Sequence, residues 1–232
     1  MAEYPRHFSL LEVQQTFYEP PSERVARRWR ELMHEPFEFT VKAWQLITHE
    51  AASPTYRRLK RNLTAKERAE CGRFRDTVIV RDALERTLAT VQTLRASTVL
   101  FQCPASFRPE PENIENLRQF IKKVARPLCP PGVRLAWEPR GRAWTEQAEL
   151  AVALCIELGL IYVVDPFVDP IRQTPTGPAY LRLHGTTGAR HVYSDEELER
   201  LLAMTPPGAY VLFNNIPRVN DASRFQALVS GR

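Results

Sequence analysis

An arginine and a histidine stand together at the end of a predicted strand in the last quarter of the chain. In the stretch Ala179–Gly185 (AYLRLHG), Leu181 and Leu183 alternate with Arg182 and His184, and the pattern stops at a glycine. Side chains of a strand alternate between its two faces, so the arginine and the histidine share the polar face. A guanidinium binds anions, and an imidazole transfers protons near neutral pH. This strand therefore predicts one wall of a ligand site.

Polar or charged residues also stand at the ends of the other strand-like segments. The residues in this position are Glu12, Lys42, Gln102, Glu138, Asp165 and Asn214. The segments that follow add the loop residues His49, Arg140, Tyr193 and Asn215. Each of these residues alone could have a structural role, such as an ion pair or a cap. Burying so many charges without a use costs free energy, so we interpret the whole set as a site.

The residue types in this set indicate acid–base or hydrolytic chemistry on an anion. Two carboxylates beside a histidine can serve as general acid and base, and lysine and arginine complement a phosphate or carboxylate. We predict catalytic roles for Lys42, Glu138, Asp165 and His184. We predict substrate-binding roles for Glu12, His49, Gln102, Arg140, Arg182, Tyr193, Asn214 and Asn215.

Dedicated metal ligands and a nucleophile have little support in the sequence. No His-x-His, His-x-x-x-His or Glu-x-x-His spacing occurs, so no metal ligand is assigned. A divalent metal held by side chains from separate strands stays open as a cofactor. There is no Gly-x-Ser-x-Gly motif, and Cys103 directly precedes a proline, which does not favour nucleophilic catalysis.

Seven strands alternating with helices must position these residues. The predicted strands are Leu10–Tyr18, Phe37–Ala43, Thr98–Gln102, Val133–Glu138, Leu160–Asp165, Ala179–Gly185 and Ala209–Asn214. Helices are predicted over 22–33, 78–95, 112–126 and 145–159. Two further helices are predicted, one after the capping box Ser194-x-x-Glu197 and one in the tail. The proline-rich stretch 166–178 is predicted as a loop. This alternation predicts a parallel α/β architecture. Polar residues at every strand end favour a TIM-barrel-like (β/α)8 fold over a doubly wound sheet, which has one switch point.

Length and composition fit one globular domain over residues 1–232. Hydrophobic residues make up 44% and charged residues 25%, which is typical of globular proteins. There is no apolar run long enough for a membrane span and no signal-peptide core, so we expect a cytoplasmic protein. Its four scattered cysteines are interpreted as reduced structural thiols. The net charge of +5 allows an anionic partner.

One basic segment, about 50–76, interrupts the alternation of strands and helices. Eight basic residues lie between Tyr56 and Arg75, namely Arg57, Arg58, Lys60, Arg61, Lys66, Arg68, Arg73 and Arg75. A solvated helical insertion is the interpretation we favour. The alternative is a surface that binds nucleic-acid phosphates.

Seven motifs in order resemble the YecE-like family, known as domain of unknown function 72. They are FYEPP, FTVKAWQLITH, LFQCPASF, WEPR, YLRLHG, YSDEEL and LFNN, and the resemblance spans about Phe8 to Asn215. Their sequences are most similar to those of archaeal members. The resemblance implies a TIM-barrel-like fold whose activity is not established. Family members usually begin with a Gly-rich first strand ahead of the segment that starts here at Tyr4. Its lack predicts either a start placed too late or a barrel without that strand.

Two classes of function follow from these observations. The first is an enzyme that binds a small anionic substrate at the mouth of the barrel, where the loop Gly185–Gly188 could hold a phosphate. The second is a nucleic-acid-binding protein or a metal-dependent phosphodiesterase of endonuclease type. A non-catalytic binding protein is a further alternative. A membrane partner is not expected.

Overall fold

The computed structural model describes residues 4–34 and 36–231 as two compact units with seven strands in all. The first unit, 1–147, contains β1 to β4, and the second unit, 148–232, contains β5 to β7. The strands are Leu10–Val13 (β1), Glu38–Lys42 (β2), Thr98–Gln102 (β3), Arg134–Glu138 (β4), Ile161–Val164 (β5), Tyr180–Leu183 (β6) and Tyr210–Phe213 (β7). Within each unit the strands pair in parallel and in chain order, which is the strand arrangement of a TIM barrel.

One face of the first sheet carries its polar residues in rows across the strands. The register aligns Glu12 with Thr40, Thr98 and Arg134; Lys42 with Leu100 and Ala136; and Gln102 with Glu138. Residues paired in a parallel register point to the same side of the sheet. At the amino ends of the strands, Arg134 Nη2 lies 3.0 Å from Glu38 Oε1. The remaining charged residues of these rows lie at or near the carboxyl ends.

Helices and short turns connect the strands of the first unit. They are α1 (Gln15–Tyr18), α2 (Glu23–Glu31), α3 (Gln45–Thr48), α4 (Ala65–Glu70), α5 (Val78–Leu94), α6 (Pro111–Gln119), α7 (Arg126–Leu128) and α8 (Arg142–Thr145). Tyr4–Arg6 and Pro54–Arg58 are 3₁₀ turns, and Phe120–Ala125 is a π-helix. Helix α5 packs on α2 and β2. Leu84, Leu88 and Val91 of α5 are buried, as the helical periodicity predicts.

The second unit consists of β5 to β7 and three helices. They are α9 (Ala148–Leu158), α10 (Asp195–Met204) and α11 (Arg218–Ser230). Strand β5 is buried along its whole length, as its continuous apolar sequence predicts. The capping box of Ser194 and Glu197 is present at the start of α10, and the predicted tail helix forms as α11.

Two predicted boundaries differ from the structure by three residues or more. The first strand ends at Val13, because the hydroxyl of Thr16 is shared between the carbonyls of Val13 and Lys42, at 2.8 and 2.6 Å, and stabilises a helical turn. Thr145 ends α8 rather than capping a long helix, and the following helix begins at Ala148. In the described residues, no helix has the length and apolarity that crossing a bilayer requires.

Candidate functional site

Lys42 is a buried cation at the carboxyl end of β2. The residue is only 7% exposed, and the ammonium nitrogen Nζ lies 3.8 Å from the centroid of the Phe17 ring. The same ring meets the imidazole of His49 edge to face, with centroids 4.9 Å apart. An aromatic face stabilises a partly desolvated ammonium through its quadrupole. The end of β2, α1 and the residue after α3 therefore bring a cation, an aromatic ring and an imidazole together.

His49 is held as a neutral imidazole. Its Nδ1 lies 2.7 Å from the hydroxyl oxygen of Thr48. Burial, followed by the charges of Lys42 and Arg140, lowers the pKa of His49 to about 3. The imidazole is therefore uncharged at neutral pH, and it can give or accept a hydrogen bond without adding a third cation.

A carboxylate and a second cation lie at the end of β4. Glu138 is buried, and the register places it beside Gln102 of β3. The Nε of Arg140 lies 3.8 Å from Glu138 Oε1, and the arginine side chain is 41% exposed. Arg140 thus reaches from a buried carboxylate towards solvent, where an anion could meet it.

Glu12 adds a second buried carboxylate on β1. It is aligned with Thr40, two residues before Lys42 on the same face of the sheet, and the amide of Gln14 donates to its Oε1. The first unit therefore places six of the predicted residues at or near the carboxyl ends of its strands. They are Glu12, Lys42, His49, Gln102, Glu138 and Arg140.

The second unit gathers four predicted residues at the ends of its own strands. Asp165 accepts hydrogen bonds from the backbone N–H groups of His184 at 2.9 Å and Phe167 at 3.1 Å. Arg182 is 1% exposed, and its Nη2 donates to Oδ1 of Asn214 at 3.3 Å. The aspartate therefore fixes the exits of β5 and β6, and the buried guanidinium spans β6 and the end of β7.

Tyr193 and Asn215 bind groups of the protein itself. The Tyr193 hydroxyl accepts a hydrogen bond from the Gly185 N–H at 2.9 Å, and burial raises the pKa of this phenol. The fully buried Asn215 amide donates to the carbonyl of His191 at 2.9 Å and to Asp221 at 2.6 Å. Both residues thus hold the loop after β6. Their contribution to substrate binding stays a prediction.

Cys103 is a structural thiol. It is fully buried, the Trp137 indole N–H donates to its sulfur at 3.2 Å, and burial raises its pKa. A protonated, inaccessible thiol is a poor nucleophile. Among residues 4–34 and 36–231, no three His, Cys, Asp or Glu side chains form a group that could hold a metal ion.

Sequence reasoning missed residues that fix the candidate site without belonging to its charged set. The Tyr56 hydroxyl donates to the His49 carbonyl at 2.7 Å, and Gly72 packs against the peptide bond between His49 and Glu50. Gly72 carries one signal in the sequence, because it is the single glycine of the basic segment 50–76. In the second unit, His191 bridges Thr187, at 3.1 Å from Nδ1, and Glu197, at 3.0 Å from Nε2.

A family model and solved structures match almost the entire chain. The model described as "Protein of unknown function DUF72" matches residues 1–231, whereas a search of curated proteins gives no match. A solved DUF72 family protein from Thermotoga maritima is 22% identical, with a TM-score of 0.68, and the match covers 99% of this chain and 90% of that chain.

Two structures with other names share the fold. A D-tagatose 3-epimerase-like protein is 13% identical, with a TM-score of 0.55 and coverage of 97% of this chain and 88% of that chain. Endonuclease IV from Thermus thermophilus is 11% identical, with a TM-score of 0.51 and coverage of 99% and 92%. These similarities confirm the predicted TIM-barrel-like α/β fold.

Proposed function

The chain belongs to the DUF72 family of proteins of unknown function, and from this premise we propose that it is an enzyme acting on a small phosphate- or carboxylate-bearing substrate. Membership confirms the resemblance seen in the seven sequence motifs. The observation that carries the proposal is the buried ammonium of Lys42, which packs on the same Phe17 ring as the imidazole of His49.

The surroundings of Lys42 and Arg140 favour an anionic ligand. A charged group interacts more strongly with an anion where little water screens it, and Lys42 is almost fully buried. Arg140 is partly exposed, so it offers a guanidinium to an incoming phosphate or carboxylate. His49 supplies a hydrogen bond in this cluster without a charge of its own. We propose that these side chains together bind one anionic group.

The buried carboxylates provide the groups for proton transfer. Glu138 lies beside Arg140, and Glu12 lies in the row of the sheet before Lys42. A carboxylate within reach of a bound substrate can take up or return a proton. We therefore assign an acid–base role to Glu138. Lys42 keeps its predicted catalytic role as the cation that stabilises negative charge on the bound group, and Glu12 keeps its predicted binding role. The predicted catalytic roles of Asp165 and His184 and the predicted binding role of Arg182 stay proposals.

Contacts within the basic segment favour this function over nucleic-acid binding. Arg73 lies 3.0 Å from Glu50, and Arg61 pairs with Glu67. Arg68 donates to the carbonyl of Ala51 at 3.3 Å. Cations that are used inside the protein contribute less to binding phosphate backbones. The fold shared with endonuclease IV keeps a nucleic-acid substrate as the second candidate.

A ligand panel tests the proposal. Thermal unfolding is measured with inorganic phosphate, glycerol 3-phosphate, ribose 5-phosphate, citrate and a short DNA duplex, with and without Mg²⁺. We expect a small anion to raise the Tm of the native protein but not that of Lys42→Met. Lys123→Met is the control, because Lys123 is exposed and lies in the π-helix Phe120–Ala125, outside both the cluster and the basic segment.

Each result of the panel has a clear meaning. Stabilisation by DNA alone, with a steep dependence on salt, would replace the proposal with the second candidate. Binding of a small anion without turnover of any tested compound by NMR over a day would indicate a non-catalytic binding protein. No stabilisation by any anion would contradict the proposal.

A further inference from the structure

The basic segment contacts the backbone around His49 at several points. We propose that residues 51–75 form a clamp that fixes the position of His49, with Tyr56 and Gly72 as its positioning residues. This inference rests on the proposed function, which gives His49 its place beside the bound anion. It also gives the insertion a role other than binding nucleic acid.

Tyr56 holds the carbonyl group of His49. Its phenol lies in the turn Pro54–Arg58, is almost fully buried, and donates to the His49 carbonyl oxygen at 2.7 Å. The turn itself begins at Ser53, whose hydroxyl accepts from the N–H of Thr55 at 3.4 Å. Burial raises the pKa of Tyr56, so the phenol stays protonated and keeps its donor.

Gly72 lies directly against the peptide bond that follows His49. A Cβ atom at this position would lie 2.5 Å from the carbonyl carbon of His49 and 2.6 Å from the nitrogen of Glu50. Both contacts are with backbone, which cannot rotate out of the way as a side chain can. The residue also has φ +81°, a conformation that glycine adopts without strain. Only glycine allows this close approach.

Three successive N–H groups of the clamp cap the short helix before His49. Those of Gly72, Arg73 and Phe74 donate to the carbonyls of Leu46, Thr48 and Ile47, at 2.8, 3.3 and 2.9 Å. The last carbonyls of a helix have no partner within the helix, and α3 is only four residues long. The clamp therefore supplies the hydrogen bonds that keep α3 folded up to His49.

The clamp has a strained backbone and a rigid anchor. Arg73 and Phe74 both have left-handed φ values, 55° and 56°, which non-glycine residues rarely adopt. Such strain persists where the surrounding structure holds the backbone in place.

The ring of Phe74 is fully buried, and its aromatic contacts hold the strained backbone in place. Its centroid lies 5.9 Å from that of Phe101 and 5.4 Å from those of Phe107 and Phe120.

Charged side chains tie the clamp to the same place. Arg73 pairs with Glu50, the residue after His49, at 3.0 Å. Arg75 donates to the carbonyls of Ala69 at 2.7 Å and Gly72 at 3.3 Å. Basic residues that could be taken for a phosphate-binding surface therefore stabilise the clamp.

The test compares Gly72→Ala and Tyr56→Phe with Gly132→Ala. Gly132 has φ +83°, and a Cβ atom added there would meet no atom within 4 Å, so its substitution introduces the same backbone strain without the collision. The measurements are the ¹⁵N and ¹H NMR signals of the His49 ring and the affinity for inorganic phosphate. For Gly72→Ala we expect shifted ring signals and phosphate binding weakened about tenfold. For Tyr56→Phe we expect the His49 ring signals to shift in the same direction by a smaller amount. For Gly132→Ala we expect the ring signals and the phosphate affinity to stay unchanged.

Unchanged His49 signals in both clamp variants would overturn the proposal, and so would equal shifts in Gly132→Ala. If Gly72→Ala does not fold, Tyr56→Phe decides by the same criterion. The ring signals report on the clamp whether or not phosphate binds. A native protein that binds no anion would contradict the proposed function, whereas shifted His49 signals in the same protein would still support the clamp.

Discussion

The ammonium nitrogen of Lys42 lies 3.8 Å from the centroid of the Phe17 ring, and the imidazole of His49 contacts the same ring, with centroids 4.9 Å apart. The ring stabilises the buried charge, and the charge in turn disfavours protonation of the histidine. A buried cation therefore coexists with a neutral imidazole in one small cluster. This relationship sets the expected behaviour of the site towards anions and towards pH.

Arg140→Gln should weaken the binding of a small anion about tenfold or more. The variant removes one of the two cations beside His49 and keeps a polar side chain at the position. Because Arg140 is partly exposed, we expect the free energy of unfolding to change by about 1 kcal/mol or less. Calorimetric titration with inorganic phosphate and urea unfolding measure the two effects.

Arg142→Gln is the matched control for this change. Its side chain is 90% exposed and pairs only with Glu146 among the ion pairs described, at 2.6 Å, and it lies two residues further along the chain than Arg140. Equal losses of affinity in both variants would mean that general positive charge, and not Arg140, attracts the anion.

Acid should destabilise the fold through His49. Its pKa lies at about 3 in the folded protein and at 6.5 as an unperturbed group, so the unfolded chain binds more protons between these values. The stabilisation is complete above pH 6.5 and is lost as pH falls towards 3, by about 1.4 kcal/mol per pH unit. The unfolding free energy of the native protein relative to His49→Gln should therefore fall by about 2 kcal/mol between pH 6.5 and 5.

Urea unfolding at several pH values measures this difference. Carboxylates titrate in both proteins, so subtracting the two curves isolates the histidine. Parallel curves for the native protein and His49→Gln would show that the histidine titrates normally in the fold.

Strand periodicity was sufficient to predict which residues reach the carboxyl ends of the strands. Lys42, Gln102 and Glu138 are ends of strands in the structure, as the alternation of polar and apolar residues predicts. The strand around Glu12 is shorter than predicted, because hydrogen bonding by the Thr16 hydroxyl outweighs the extended pattern. The alternation of polar and apolar residues reflects local conformation and cannot show a competing side-chain hydrogen bond.

The role of the clamp could not be predicted from the sequence. Its hydrogen bonds join residues 72–74 to residues 46–48, and such contacts depend on how the chain returns to itself. Charge alone suggested a solvated or phosphate-binding insertion, whereas Tyr56 and Gly72 act through one hydrogen bond and one close approach. Neither leaves a periodic pattern.

Cysteine labelling should distinguish the buried thiols from the half-buried one. Cys71, Cys103 and Cys155 are fully buried, whereas Cys129 is partly exposed. Burial raises the pKa of all four thiols, so reaction depends on access. We expect iodoacetamide to modify Cys129 first in the native protein and all four in urea, as read by peptide mass spectrometry. Modification of Cys103 before Cys129 would contradict the structural role of that thiol.

Asp221→Ala should destabilise the second unit strongly. The fully buried carboxylate accepts from Asn215 at 2.6 Å and lies 3.3 Å from Arg224 Nη1. It also accepts from the backbone N–H of Tyr193 at 3.5 Å. Removing it leaves the buried Asn215 amide and the Tyr193 N–H without this acceptor, and such losses cost about 2–4 kcal/mol. Urea unfolding of Asp221→Ala measures the loss, with the neighbouring exposed Asn220→Ala as control. A loss below about 1 kcal/mol, or an equal loss in both variants, would mean that Asp221 does not hold the loop after β6.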